Sequence, residues 1–422
     1  MEQLVKDISK HSQEGEFTLL IGKLQSSSEL ICDQDVATLD TVLGTLEPDK
    51  HSLGYLAILT GKLSKPAAQL NWGVLMEQMR SFTQGFTRDQ VTQNPISFCN
   101  LFHQLTDVMC KRKQTIEGVV ILRTAIRRYQ TCPACLTAIH SDLLQVCLMA
   151  KCLKPALPFL EQEYSELLTD GGQFDARYVL LFYYYGGMVY ACLHKYLRAL
   201  LFLTVCLTTP TVAISAIMVA AYKKFVLVSL LKFGKVITLP KYCSHIVDRM
   251  MKPLCGSYNE LAKTYAGRKV GPVHELIAKY SEVFQNDGNL GLVHRLRETV
   301  YRHAMQRLTQ TFMTLSLADV SSRINLSSAQ EAELYIRNMI EQEEVHASLD
   351  QTAGMVSFSE SPEAYDSHDM ATYLQSQLQR CMALEKKLRA LDEQMALDPR
   401  YITKTMGGGF DDDPIFHEEG VM

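Results

Sequence analysis

Residues 183–210 read YYYGGMVYACLHKYLRALLFLTVCLTTP, and this stretch decides the architecture of the chain. Gly187 is followed one helical turn later by Tyr190, and Ala199 and Pro210 come further along. Two helices can approach closely only where their side chains are small, so Gly187 and Ala199 mark the points of contact. Proline cannot continue a helix, so Pro210 ends the second one. The stretch therefore predicts an antiparallel pair of helices.

Small residues recur along the chain as a repeat protein requires. Gly118, Ala156 and Ala199 are about forty residues apart, a spacing that indicates stacked helical pairs of the tetratricopeptide (TPR) kind. We predict a mostly α fold that begins with a right-handed, TPR-like helical-repeat solenoid. The predicted core positions of the two earlier repeats are Phe102, Leu105, Thr106, Met109, Leu122, Ala125, Leu143, Leu144, Cys147 and Leu160.

Further helices are predicted on both sides of these repeats. The apolar residues 214–233 form a helix that should end at Gly234, because glycine tolerates the left-handed conformation that closes a helix. Short helical pieces are predicted at residues 235–241, 253–265 and 273–284. The first ninety residues are also predicted to be helical.

The composition favours a folded protein with little net charge. Of the 422 residues, 47% are hydrophobic and 21% are charged, and the formal net charge is −4. Most nucleic-acid-binding modules depend on a positive patch, so we expect no direct contact with nucleic acid.

No membrane contact is expected either. The longest apolar stretch contains Lys223 and Lys224, which would be costly inside a bilayer. Residues 1–10 lack the apolar segment of a secretory signal, so the twelve cysteines are expected to be reduced thiols.

The sequence carries no catalytic motif that we can assign. A nucleophile elbow, a histidine pair at metal-binding spacing and a complete phosphate-binding loop are all missing. Cys132 and Cys135 form a CxxC motif, and a zinc site could recruit His140 and Cys147, but a second ligand pair is lacking. We favour an inter-helix turn followed by core cysteine. Groups that are distant in sequence could still assemble a catalytic pair, but the predicted catalytic, cofactor and metal residues are none.

A winged helix is predicted from residue 289 onward. A long helix at residues 289–312 precedes a short helix from Leu315, and a third helix is capped by Ser327 and Ser328. Two short strands follow, at residues 345–349 and 355–358. Winged helices often insert this third helix into DNA. Here the third helix has an acidic face, which phosphates would repel. It carries one basic residue, Arg337, and five acidic residues: Glu331, Glu333, Glu341, Glu343 and Glu344.

The last periodic segment predicts a helix that needs a partner. Leu374, Cys381, Leu388 and Met395 follow one another at intervals of seven, with Leu384 and Leu391 between them. This is a heptad pattern about three repeats long, and so short a coiled-coil helix is marginal in water by itself. It would pack either on its own chain or in a bundle with other proteins. Residues 401–422 are predicted to be a flexible acidic tail.

Helical repeats that run into a winged helix are the layout of the PCI-domain family. Within it, the chain resembles the third subunits of the COP-9 signalosome at segments that span residues 40–358. These segments are DTVLG at 40–44, HSLG at 51–54, KPALPFL at 154–160, YYYGGM at 183–188, YKK at 222–224, GKV at 234–236, QRLTQTF at 306–312, LSL at 315–317, QEA at 330–332 and GMVSF at 354–358.

The resemblance implies a domain layout. Residues 1–198 would be the N-terminal repeats and residues 199–362 the PCI domain, with a helical part at 199–288 and the winged helix at 289–362. Residues 363–400 would be a coiled-coil-like helix of a bundle.

The resemblance also implies a non-catalytic scaffold, cytoplasmic and nuclear, in a complex that removes Nedd8 from cullin-RING ligases. Its partners would be other signalosome subunits, bound through the winged-helix edge and the C-terminal helix. The alternatives are a proteasome-lid PCI subunit and an initiation-factor-type adaptor. The implied interface residues are Val345, Leu349, Met355, Phe358, Leu374, Cys381, Leu384, Leu388, Leu391 and Met395.

Overall fold

A computed structural model of the chain describes residues 2–66, 69–164, 166–167, 175–211, 213–267, 270–324, 326, 328–359 and 366–406. The chain divides into two units. The first comprises residues 1–311 and 317–335, and the second comprises residues 312–316 and those from 336 onward. Within the described ranges, no helix is both long enough and apolar enough to cross a membrane.

Helices joined by short turns build the chain as far as residue 164. They are α1 (Glu2–Glu14), α2 (Phe17–Ser26), α3 (Ser28–Asp33), α4 (Val36–Thr45), α5 (Ser52–Leu63), α6 (Trp72–Gly85), α7 (Arg88–Val91), α8 (Pro95–Arg112), α9 (Ile116–Tyr129), α10 (Ile139–Met149) and α11 (Leu157–Leu160). Local sequence sets their ends. At the start of α8, the Asn94 side chain accepts a hydrogen bond from the N–H of Ser97, and Pro95 occupies the first helical position. Two short strands, β1 (Cys135–Leu136) and β2 (Glu166–Leu167), pair in parallel.

The predicted core positions of the two earlier repeats are all buried, which confirms the helical periodicity read from the sequence. The close approach at Gly118 is also confirmed, because a Cβ atom there would collide with the sulfur of Met109. These contacts pack α8, α9 and α10 against one another in one continuous hydrophobic core.

The pair of helices predicted from residues 183–210 is present as α12 (Ala176–Cys192) and α13 (Tyr196–Thr208). A Cβ atom on Gly187 would lie 2.9 Å from Leu203 Cδ2 and 3.5 Å from the carbonyl oxygen of Ala199. Gly187 and Ala199 therefore meet at the helix crossing, as predicted. The predicted domain boundary between residues 198 and 199 lies inside α13, where the helix is unbroken.

The chain continues with α14 (Ala216–Phe233), α15 (His245–Leu254), α16 (Gly256–Ala266), α17 (Val270–Lys279), α18 (Ser281–Asn286) and α19 (Leu290–Thr311). The Ser215 side chain caps the start of α14, and Gly234 closes it with a φ of 68°. The prediction of a helix at residues 235–241 is wrong, since these residues form an irregular connection. Val236, Ile237 and Thr238 are β-branched, which disfavours helix, and a proline follows at position 240.

The winged-helix elements follow in the predicted order, with one strand that the sequence reading missed. They are β3 (Thr314–Ser316), α20 (Leu317–Ile324), α21 (Ala329–Glu341), β4 (Ala347–Asp350) and β5 (Met355–Phe358). The short helix predicted from Leu315 therefore begins two residues later. The Ser328 hydroxyl accepts a hydrogen bond from the N–H of Glu331, as predicted for a cap, while Ser327 lies outside the described residues. The three strands form an antiparallel sheet in the order β3-β5-β4.

The last two helices are α22 (His368–Ala396) and α23 (Pro399–Met406). The Ser367 side chain caps α22 by accepting a hydrogen bond from the N–H of Met370. The predicted acidic tail begins too early, because residues 401–406 belong to α23. The remainder of the predicted tail, residues 407–422, lies outside the described residues.

Candidate assembly interface

Helix α22 presents its whole apolar face to solvent. It is 29 residues long, or roughly 44 Å, and none of its described side chains is buried. The predicted heptad residues on it are all exposed, and Leu384, Leu388 and Leu391 are each more than half exposed. Water is an unfavourable neighbour for so much aligned apolar surface, so this face is a candidate for contact with another helix.

The charges beside this apolar face are sorted by sign. With Leu374 at heptad position a, the basic residues Arg380 and Lys387 occupy g, and the acidic residues Glu385 and Asp392 occupy e. Positions e and g flank the apolar face and set the choice of partner in coiled coils. The two flanks of the apolar face therefore carry charges of opposite sign. Within the helix, Glu385 also forms an ion pair with Arg389 at 2.5 Å.

The strand order decides which strand can pair with another chain. Strand β5 lies between β3 and β4 and is paired on both sides, so of the two predicted strands β4 is the one at the edge of the sheet. Among the described residues, β4 is paired on one side only, and an edge strand offers unpaired N–H and C=O groups. It is the longer of the two edge strands, with four residues against three in β3.

The four predicted interface residues of the sheet fall into two groups. Val345 and Phe358 are buried, so they stabilise the second unit from inside and their side chains are not available to a partner. Leu349 is half-buried on β4, where it pairs with Val356 of β5. Met355 is exposed at the start of β5. Of the four predicted residues, Leu349 and Met355 are therefore the two that offer side-chain surface to a partner.

Comparison with known proteins decides the family. A model of the COP9 signalosome complex subunit 3 N-terminal helical repeats matches residues 14–247, and a PCI domain model matches residues 277–360. The COP9 signalosome complex subunit 3 of Drosophila melanogaster is 36% identical over 428 residues, which cover 98% of this chain and 96% of that protein. The chain belongs to the COP9 signalosome subunit 3 family. The subunit of the same name from Dictyostelium discoideum is 32% identical over 373 residues, or 88% of each chain.

The exposed apolar surface of α22 is wider than the heptad pattern predicted. Tyr373, Leu378 and Met382 are also more than half exposed. Leu378 lies four residues after Leu374, and Met382 four residues after Leu378, so helical spacing of three and four would have found them. Strict sevenfold spacing missed them because it samples only the centre of the apolar face.

The acidic helix of the winged helix is α21. Next to it, a groove of about 560 Å³ is lined by side chains of both signs, among them His294, Arg297, Glu298 and Glu331. The rings of Tyr301 and Tyr335 lie 5.7 Å apart at this groove. A nucleic acid would require a surface of uniformly positive charge, which this groove does not supply.

Two of the four candidate zinc ligands, His140 and Cys147, lie in the buried core of the repeats. His140 is fully buried, with Nδ1 2.8 Å from the Thr137 hydroxyl and Nε2 3.1 Å from Gln130 Nε2. Burial lowers the pKa of His140 to about 4. Cys147 is buried among apolar side chains, and burial raises the pKa of its thiol to about 12. Both groups therefore act as packing residues of the repeat core.

Another histidine makes a close contact with a carboxylate. His103 Nδ1 lies 2.6 Å from Asp142 Oδ2, and the His103 ring stacks on Tyr178 with centroids 4.4 Å apart. Cys99 is one turn earlier on α8, but burial raises the pKa of its thiol to about 12, so it is not an activated nucleophile. The arrangement ties α8 to α10 and α12.

Proposed function

We propose that this chain is a non-catalytic scaffold subunit of the COP9 signalosome, which supports removal of Nedd8 from cullin-RING ligases by holding the complex together. Two relatives that match nearly the whole chain carry the name of a signalosome subunit, which favours this complex over a proteasome lid. The partners are other signalosome subunits, in the cytoplasm and the nucleus.

The observation that carries the proposal is the exposed apolar face of α22. None of the described side chains of this long helix is buried by its own chain, although Leu384, Leu388 and Leu391 lie in line on one face. Burying one such side chain contributes about 1.5–3 kcal/mol. A partner helix that covers these leucines would therefore stabilise the helical state of α22. The free edge of β4 offers a second place of contact by strand addition.

Aspartate substitution of the apolar face tests the proposal. The variant Leu384→Asp/Leu388→Asp/Leu391→Asp should lose most of its signalosome partners in affinity purification followed by mass spectrometry, because carboxylates would be buried at the helix interface. In cells that depend on this variant, the Nedd8-modified fraction of cullin should rise.

The matched control places the same three charges on the opposite face of α22. Gln379, Ala383 and Ala390 are exposed there, and the variant Gln379→Asp/Ala383→Asp/Ala390→Asp should keep its partners. Full recovery of partners by both variants would contradict a role for the apolar face. Turnover of a Nedd8–cullin conjugate by the isolated chain would contradict the scaffold role itself, and salt-sensitive RNA binding would favour the adaptor alternative.

A further inference from the structure

The side chains that flank the apolar face of α22 match one another at a spacing of five residues. With Leu374 at heptad position a, a residue at g is followed five places later by a residue at e. The pairs at this spacing are Tyr373 and Leu378, Arg380 and Glu385, and Lys387 and Asp392. All of these side chains are exposed. The first pair is apolar and the other two join a basic with an acidic residue, so each pair is complementary.

A parallel coiled coil uses the same spacing. There, a g residue of one helix meets the e residue five places later on the other helix, whereas in an antiparallel coiled coil g meets g and e meets e. Two α22 helices in parallel would therefore bring Arg380 against Glu385 and Lys387 against Asp392 along both flanks. In the antiparallel arrangement like charges would face each other, which is destabilising. The flanks of α22 thus fit a second, parallel copy of α22.

The centre of the face also suits a second copy. In a parallel, in-register pair each a residue faces the same residue of the other helix, and so does each d residue. From Leu374 to Met395 these positions hold leucine, methionine and cysteine, with Gln377 as the exception. Apolar side chains gain free energy on such burial. Two Gln377 amides that face each other can exchange hydrogen bonds, because an amide both donates and accepts.

Glu385 has a competing contact within its own helix. It forms an ion pair with Arg389, one turn further on, and both side chains are more than half exposed. An exposed pair of this kind contributes little to stability, because water screens both charges. It therefore does not prevent Glu385 from meeting Arg380 of a second copy.

We propose that two copies of this chain pair through α22 as a parallel, in-register coiled coil when no other subunit covers this face. The second copy removes the exposed leucines from water and satisfies the charges on both flanks. The pairing concerns the chain outside the complex, so it goes beyond the scaffold role and does not rest on it. A signalosome partner that uses the same face of α22 has to displace the second copy.

Cys381 allows the orientation to be tested on the full chain. It is exposed and lies at an a position, so in the proposed pair it faces Cys381 of the second copy. Diamide should link the two chains: the two thiols pass two electrons and two protons to diamide, one S–S bond forms, and diamide becomes the hydrazine. The linked species should have twice the chain mass of 47.6 kDa on a non-reducing gel. Cys381→Ser should abolish the link, whereas Cys32→Ser, at another exposed thiol, should keep it.

Exchange of the flanking charges tests what the two helices recognise in each other. Arg380→Glu/Lys387→Asp makes both flanks acidic and should raise the dissociation constant in sedimentation equilibrium about a hundredfold, because each attraction between the helices becomes a repulsion. Adding Glu385→Arg/Asp392→Lys to this variant makes the flanks complementary again, with their signs exchanged. The fourfold variant should therefore pair as the unchanged chain does.

Each measurement can overturn the proposal. A mass of one chain for the unchanged protein at micromolar concentration would do so, as would the absence of a link that depends on Cys381. Equal dissociation constants for the unchanged chain and both charge variants would also contradict it. None of these measurements involves recovery of signalosome partners, so the self-pairing can fail while the scaffold role stands.

Discussion

Lys223 and Lys224 lie side by side in α14, a helix that is otherwise almost entirely apolar. Lys223 Nζ donates to Asp287 Oδ1 at 2.7 Å, and Lys224 Nζ donates to Asn289 Oδ1 at 2.5 Å. Tyr258 joins the two acceptors, because its hydroxyl donates to Asp287 and accepts from the Asn289 amide. From the sequence, the two lysines argue against a membrane helix, but their partners could not be predicted because they come more than sixty residues later. Long-range partners of this kind have no local signal.

The buried imidazole of His140 should make stability depend on pH. Burial lowers its pKa to about 4 in the folded chain, while the value in the unfolded chain is about 6.5. The unfolded state therefore takes up more protons as pH falls, and the contribution of His140 is complete above pH 6.5 and lost towards pH 4. Between pH 7 and pH 5 the free energy of unfolding should fall by about 2 kcal/mol from this group. Urea unfolding of the unchanged chain and of His140→Asn at both pH values measures it.

The exposed histidine His294 provides the control for this measurement. His294→Asn should keep the pH dependence of the unchanged chain, whereas His140→Asn should lose about 2 kcal/mol of it. The same dependence in all three proteins would show that His140 is not buried in its neutral form.

Among the elements, the helices of the repeats were predictable and the sheet was only partly so. Gly187 and Ala199 marked a crossing because close packing leaves no choice of residue there. Strand β3 was missed because three residues carry almost no alternation, and its pairing with β5 joins segments some forty residues apart. On α22 the sequence identified the apolar face but not its full width.

The helix crossing at Gly187 predicts that a Gly→Ala substitution destabilises the chain there, whereas the same substitution at an exposed glycine stabilises it. Gly187→Ala adds a methyl group 2.9 Å from Leu203 Cδ2 and should destabilise the chain by about 1–3 kcal/mol through overpacking. Gly22→Ala, at an exposed position of α2, meets no atom within 4 Å and should stabilise the chain by about 0.5–1 kcal/mol, because alanine is the better helix former. Chemical denaturation measures both. A shift of the same sign in both variants would argue against close contact at this crossing.

At the scale of the whole molecule, the buried apolar side chains of the helical repeats are separated along the chain from the exposed apolar face of α22. Every helix from α2 to α14 contributes residues to the hydrophobic core, while α22 contributes none among its described residues. We therefore expect the stability of the helical repeats not to depend on α22. This division explains why a chain with 47% hydrophobic residues keeps a long apolar helix face out of its own core.

The separation predicts the effect of removing the C-terminal helices. A chain that ends at residue 365 loses α22 and α23 but no described side chain that is buried, so its melting temperature should change by less than about 2 °C. A chain that ends at residue 344 also loses β4 and β5, with the buried side chains of Val356 and Phe358, and should melt clearly earlier. Differential scanning calorimetry of the three lengths compares them. If the first truncation melted as early as the second, α22 would be packed on its own chain, and its apolar face would no longer require a partner.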